Sequence, residues 1–151
     1  ESLQVILGLW TQPRTTFAGT HYQLQDAVAE PKPVQRPHPP IWVGGSGPRR
    51  TLRLAAQYAD VWNAAGGTAE EVAASSLILD QHCADVGRDP AGIRRSVQLG
   101  VGADEVDRVQ AMAEPYVAVG VTDILLIVRG ADPVAVGERL ANRLPGLREL
   151  G

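Results

Sequence analysis

Leu3, Ile6, Leu7 and Trp10 fall at i, i+3, i+4 and i+7, which predicts an amphipathic helix over 1–10 with these four residues inward. The period then shortens. Thr15–Leu24 alternates around Ala18-Gly19-Thr20, with Phe17, Tyr22 and Leu24 on the apolar side, and predicts a short hairpin or extended excursion. Residues 31–40 hold five of the eleven prolines, so this stretch is a stiff, extended connector with no room for a helix.

A strand–helix rhythm follows. Ile41-Trp42-Val43 predicts a strand, and Leu52, Ala55, Ala56 and Ala59 a helical stripe, started by Ser46 or Gly47 as N-cap with Pro48 at the first position. Asp60–Asn63 predicts a second strand. Thr68 and Glu71 form a capping box for a helix lined by Val72, Leu79, Cys83 and Val86 and closed by Gly87. Asp89-Pro90 starts a turn before a third strand, Ser96–Val101. Asp104–Val119 is helical, with Val106, Val109, Ala113 and Tyr116 inward, a kink expected at Pro115, and Gly120 as its end. Ile124–Val128 is a continuous apolar run, the pattern of a parallel strand buried on both faces. Asp132-Pro133 caps a last helix carrying Val136, Leu140, Leu144 and Leu147.

Four successive βα units mean a parallel α/β sheet. A complete (β/α)₈ barrel needs roughly 250 residues and eight units, so four units in 151 residues amount to half of one. A small doubly wound sheet is the alternative. The expected organisation is a single domain, 1–151: a helix over 1–10, an excursion and connector over 11–40, and the four units over 41–151. The chain opens on a helix already under way, without an initiator Met, and reads as part of something longer.

Composition narrows the function classes. With 44% apolar and 21% charged residues the chain can bury a core, which argues against disorder. A net charge of −3 without a basic stripe argues against nucleic acid as a partner. No apolar run approaches the ~20 residues that span a membrane, and no signal peptide is visible. The lone Cys83 excludes a disulfide framework and a cysteine metal cluster, so a reducing cytoplasm is the expected location.

Gly44-Gly45-Ser46-Gly47 carries the candidate chemistry. An apolar strand runs into a glycine cluster and then into a helix start, the arrangement that cradles phosphate: glycines let the backbone approach, and free N–H groups with the helix dipole favour an anion. An ordinary tight turn is the plainer reading. Trp62 and Asn63, at the end of the next strand, either touch the same ligand or fill the sheet interior. Arg49 and Arg50 could reach a phosphate, or simply be solvated. His21, His38 and His82 have no metal spacing and read as surface residues. Ser46 lacks a nucleophile-elbow context, and the acidic side chains read as caps and solvated helix faces. No residue is assigned as catalytic acid or base, and no metal is expected.

Pro31–Gly47, continued by Arg50–Asp60 and Trp62-Asn63, resembles the C-terminal half of luciferase-like monooxygenases, in particular the deazaflavin (coenzyme F420)-dependent oxidoreductases of that superfamily. Leu9-Trp10-Thr11, Thr16–Gly19, Tyr22, Gly87–Pro90 and Gly120–Asp123 extend the resemblance over nearly the whole chain. It implies the C-terminal half of a (β/α)₈ TIM barrel, with F420, or alternatively FMN, bound at the C-terminal ends of the strands. Its phosphate would lie near Gly44, Gly45, Ser46, Gly47, Trp62 and Asn63. Val61 stands where the family usually has glycine. The segments that in the family back the deazaflavin ring have no counterpart here, so catalytic residues are expected upstream.

The reaction so implied is hydride transfer with a small alcohol, aldehyde or imine, or oxygenation with FMN. A non-catalytic half-barrel binding or assembly module is the third reading. Expected partners are the cofactor, a small-molecule substrate, and an N-terminal half-barrel or a second copy of the chain in a homo-oligomer, because an isolated half would expose an open sheet.

Overall fold

A computed structural model describes residues 1–150. The chain divides into two compact units, Glu1–Pro40 and Ile41–Gly151, with the boundary at the end of the proline run.

The first unit holds helix α1 (Ser2–Thr11) and an antiparallel hairpin of β1 (Thr15–Ala18) and β2 (Gln23–Ala27). The expected inward face of α1 is corrected. Val5 and Gly8 are its buried residues, whereas Ile6 is exposed and Leu3, Leu7 and Trp10 are half-buried. The reason is a close approach: a Cβ built on Gly8 would lie 2.7 Å from Thr15 Cγ2. The glycine therefore sets the contact line, and the large apolar side chains flank it. The Glu1 carboxylate accepts hydrogen bonds from the backbone N–H groups of Thr20, His21 and Tyr22 at 2.9, 2.7 and 3.2 Å, closing the hairpin turn onto the helix start. These bonds, led by that of His21, hold its pKa below the usual glutamate value. Residues 28–41 contain no helix or strand, as the prolines dictate.

The second unit contains the expected four βα units. They are β3 (Trp42–Gly44) with α2 (Thr51–Tyr58), β4 (Val61–Ala64) with α3 (Ala69–Val86), β5 (Arg94–Val101) with α4 (Val109–Ala118), and β6 (Asp123–Val128) with α5 (Pro133–Ala141) and α6 (Leu144–Arg148). All strand pairs are parallel and the order is β3-β4-β5-β6. Each strand lies beside its sequence neighbour, with no point where the order reverses. A doubly wound sheet requires such a reversal and a barrel wall does not.

Three local expectations are corrected. First, α2 begins at Thr51, not at a cap on Ser46 or Gly47. Pro48–Arg50 form a wide turn in which Leu52 N–H reaches the Gly47 carbonyl at 3.1 Å, and Arg50 takes the N-cap position without a capping side chain. Second, β6 is not buried on both faces. It is an edge strand, and Ile127 is 45% exposed; the fully buried strand is the interior β4. Third, helices expected to be continuous are broken. Val106–Arg108 form a 3-10 turn before α4, and the last helix divides at Asn142-Arg143 into α5 and α6.

The end signals of α3 hold as expected. Thr68 Oγ1 accepts from Glu71 N–H, the Glu71 carboxylate accepts from Thr68 N–H, and Gly87 adopts φ +70° in the left-handed region. Arg88 then donates to the Ala56 and Ala59 carbonyls at 3.2 and 2.7 Å, satisfying acceptors at the end of α2 that the helix itself leaves open.

Strand alternation divides the sheet's two faces. Trp62, Ala64, Val97 and Leu99 point to the helices and pack with Leu52, Ala55, Ala56, Leu79, Cys83 and Ala113. Val101, Val106, Val109, Val136 and Leu140 make a second cluster at the β5–β6 end. The intervening positions, Val61, Asn63, Ser96, Gln98, Gly100, Leu125 and Ile127, form the opposite, inner face.

Candidate functional site

The carboxyl ends of the parallel strands bring the glycine-rich turns to one rim. Gly44 ends β3 and pairs in register with Asn63, which in turn pairs with Ser96. Gly45 has φ +107°, a backbone state that an L side chain rarely adopts. A Cβ on Gly47 would meet Thr51 Oγ1 at 2.9 Å. Glycine thus suits position 45 for conformation, and a side chain at Gly47 would have to displace the Thr51 hydroxyl.

The loop is fastened from behind. Gly45 N–H donates to the Asn63 carbonyl at 2.9 Å, and the Trp62 indole N–H donates to the Gly45 carbonyl at 2.8 Å. Pro48, at the far end of the loop, has its carbonyl 2.7 Å from His82 Nε2 on α3. The N–H groups of Ser46 and Gly47 have no acceptor among the described residues, and both residues are exposed. A loop tied at Gly45 and Pro48, with two unpaired N–H donors between those ties, offers hydrogen bonds that an anion could accept.

The six residues singled out from the sequence thus take different places. Gly44, Gly45, Ser46 and Gly47 form the accessible loop. Trp62 is fully buried on the helix side of the sheet, so its contact with the loop is structural: it holds the Gly45 carbonyl. Asn63 lies on the inner face, 7% exposed, with Oδ1 accepting from Ser96 Oγ at 3.0 Å. Val61, beside it, is completely buried. Arg49 and Arg50 are exposed at the turn before α2.

His82 and His38, both expected at the surface, are placed otherwise by the structure. His82 is half-buried, not on the surface, and bridges α3 to the loop. Its ring is 3.7 Å from Asp85 Oδ2, a spacing legible along one helix, but the bond to Pro48 spans 34 residues and leaves no local trace. His38, half-buried beside Trp10 with Nδ1 2.8 Å from the Pro39 carbonyl, likewise sits inside the first unit and not at its surface. Among the described residues no group of three His, Cys, Asp or Glu side chains could hold a metal, and no helix is long and apolar enough to cross a membrane. Cys83 is buried in the core, where loss of hydration pushes its thiol pKa upward.

Comparison with known proteins agrees with this architecture. The sequence model of the luciferase-like monooxygenase family matches residues 1–149. The chain is 32% identical to an FMNH(2)-dependent dimethylsulfone monooxygenase of Pseudomonas putida, over 72% of its own length and 28% of the relative's. It is 31% identical to an F420-dependent glucose-6-phosphate dehydrogenase of Nakamurella multipartita, over 95% of the chain and 44% of the relative. Among solved structures, the coenzyme F420 dependent tetrahydromethanopterin reductase of Methanopyrus kandleri shares the fold with a TM-score of 0.78 at 12% identity, over 95% of this chain and 61% of that one. The chain spans less than half the length of these two curated relatives. The match over nearly its whole length, and a fold of parallel strands alternating with helices, establish that it belongs to the luciferase-like monooxygenase family.

Proposed function

We propose that this chain supplies the cofactor-phosphate-binding part of an oxidoreductase that uses coenzyme F420. The observation that carries the reading is the Gly44–Gly47 loop: positive φ at Gly45, close approach of Thr51 to Gly47, and unpaired N–H groups on Ser46 and Gly47, all at the carboxyl end of a parallel sheet. These donors would hold a phosphate oxygen each. Asn63, next to Gly44 in the register, would border the same ligand, and Trp62 and His82 keep the loop in place from behind. The bound cofactor would supply hydride-transfer chemistry; the chain's part is to bind and orient it. We assign no acid or base within these residues. The partners are then the cofactor, a small-molecule substrate, and the remaining barrel wall, from further chain or from a second copy in a homo-oligomer, in the cytoplasm.

A second reading, FMN in place of F420, is favoured by the 32% identity to the FMNH(2)-dependent monooxygenase. Both cofactors present a phosphate, and the loop recognises that shared group. Titration of F420 and of FMN into the protein and into its Gly45→Asp variant tests the assignment. A carboxylate at the loop should weaken the cognate cofactor at least about tenfold, through like-charge repulsion and backbone strain. Unchanged affinity for both cofactors would refute the loop as the phosphate site.

A further inference from the structure

On the inner face, two strands away from the glycine loop, an arginine lies against a glycine. Leu99 and Val101 point to the helices, so Gly100 between them faces inward. A Cβ built on Gly100 would lie 2.0 Å from Cζ and 2.0 Å from a terminal nitrogen of Arg129. Arg129 directly follows β6, and its N–H is tied to the Val101 carbonyl at 2.9 Å. Its guanidinium is thereby folded back across the sheet, in space that exists because residue 100 has no side chain.

This guanidinium has no hydrogen-bond or ion-pair partner among the described residues, and Arg129 is exposed. Two acids near these positions in sequence bond to backbone instead: Glu105 accepts from Gly102 N–H at 2.8 Å, and Asp132 from Ala135 N–H at 3.0 Å. Arg49, Arg50, Arg53, Arg108 and Arg148 are also exposed without a side-chain partner among the described residues, so what distinguishes Arg129 is its place over Gly100 on the sheet; the arginines flanking it are paired. Arg94 and Arg95 hold Asp123 and Asp80, and Arg139 and Arg143 hold Asp107. Gln98, the next inward position of β5, is half-buried with its amide unpaired. A planar, five-donor cation over Gly100, with an unpaired amide at the next position of the same strand face, matches a carboxylate or phosphate group.

We propose that Arg129 and Gln98 bind an oxyanion of the substrate, so that the substrate class is a carboxylate or phosphate ester. The guanidinium lies over β5, and two strand spacings, about 10 Å, separate β5 from β3, too far for one phosphate to serve both places. The anion site stands on Arg129 itself; only its assignment to the substrate rests on the oxidoreductase reading above.

Backbone amide NMR of the purified chain, titrated with inorganic phosphate and separately with succinate, tests it. Saturable shifts at Gly100 and Arg129, with affinity on the order of millimolar, are expected. Arg129→Gln should weaken this response about tenfold or more, and Arg129→Lys should restore part of it. Gly100→Ala, which keeps the arginine but fills the space under it, should weaken it as well. The more tightly held probe identifies which oxyanion is preferred. Absence of saturation at Gly100 and Arg129, or a response that survives Arg129→Gln, would overturn the proposal. The amides of Gly45–Gly47 report the glycine loop in the same spectra. A silent loop beside a responding Arg129 would count against the cofactor-phosphate reading and leave the anion site standing.

Discussion

Two tryptophans on adjacent strands permit a sharp test of how the glycine loop is held. Trp62 is completely buried and donates its indole N–H to the Gly45 carbonyl at 2.8 Å, whereas Trp42, on the neighbouring strand, is 45% exposed. Replacing Trp62 with Phe has two separable costs. Removing the indole leaves a void of roughly 40 Å³, worth about 1 kcal/mol at ~24 cal/mol per Å³. The Gly45 carbonyl loses its donor, for about 1 kcal/mol more, toward the low end because Gly45 is only half-buried and water can replace the indole. Trp62→Phe should therefore cost about 2 kcal/mol in urea unfolding followed by circular dichroism. Trp42→Phe gives up only a partly solvated edge and a guanidinium of Arg94 at 5.9 Å, and should cost about 0.5 kcal/mol or less. Hydrogen exchange at Gly45 should accelerate in the first variant and not in the second. Equal destabilisation by the two substitutions would refute the view that Trp62 supports the loop from the core.

Other consequences can be measured on the same material. Thr68→Ala removes the side-chain half of the α3 capping box and should cost about 1 kcal/mol in the same urea assay; an unchanged midpoint would contradict the cap's role. Cys83, with burial raising its thiol pKa, should resist iodoacetamide at about pH 8 in the folded chain and react readily in urea; fast labelling of the native protein would show that α3 is not packed as described. Asp107 is held below its ordinary value of 3.8, chiefly by the hydrogen bond from Arg143. A carboxylate with a depressed folded pKa adds stability that is present above the unfolded value and lost as pH falls through the folded one. The unfolding midpoint should thus drop as pH is lowered below about 4, and Asp107→Asn should flatten that drop; identical pH profiles would exclude the pair as a contributor.

Whatever depends on neighbours a few residues apart is legible along the chain. The βα alternation, the Thr68–Glu71 box, Gly87 as a helix end and the proline connector all follow from local periodicity, capping and fixed φ angles, and they are found where expected. The Gly44–Gly47 loop was legible for the same reason, because glycine clusters announce backbone states that other residues avoid. What required the tertiary structure is everything set by contacts distant in sequence. The seam of α1 follows Gly8 because Thr15 comes close to it, a proximity invisible in the spacing of Leu3, Ile6, Leu7 and Trp10. β6 is half-exposed because it is an edge strand, although its composition suits an interior one. Trp62 faces the helices while Asn63 faces the inner side, a choice that strand register makes and that no residue type announces. His82 reaches Pro48, and Arg129 folds over Gly100, because the parallel sheet brings together residues 34 and 29 positions apart. Local free energies select the elements; only the packing of one element on another selects which side chain meets a ligand and which supports the backbone that does.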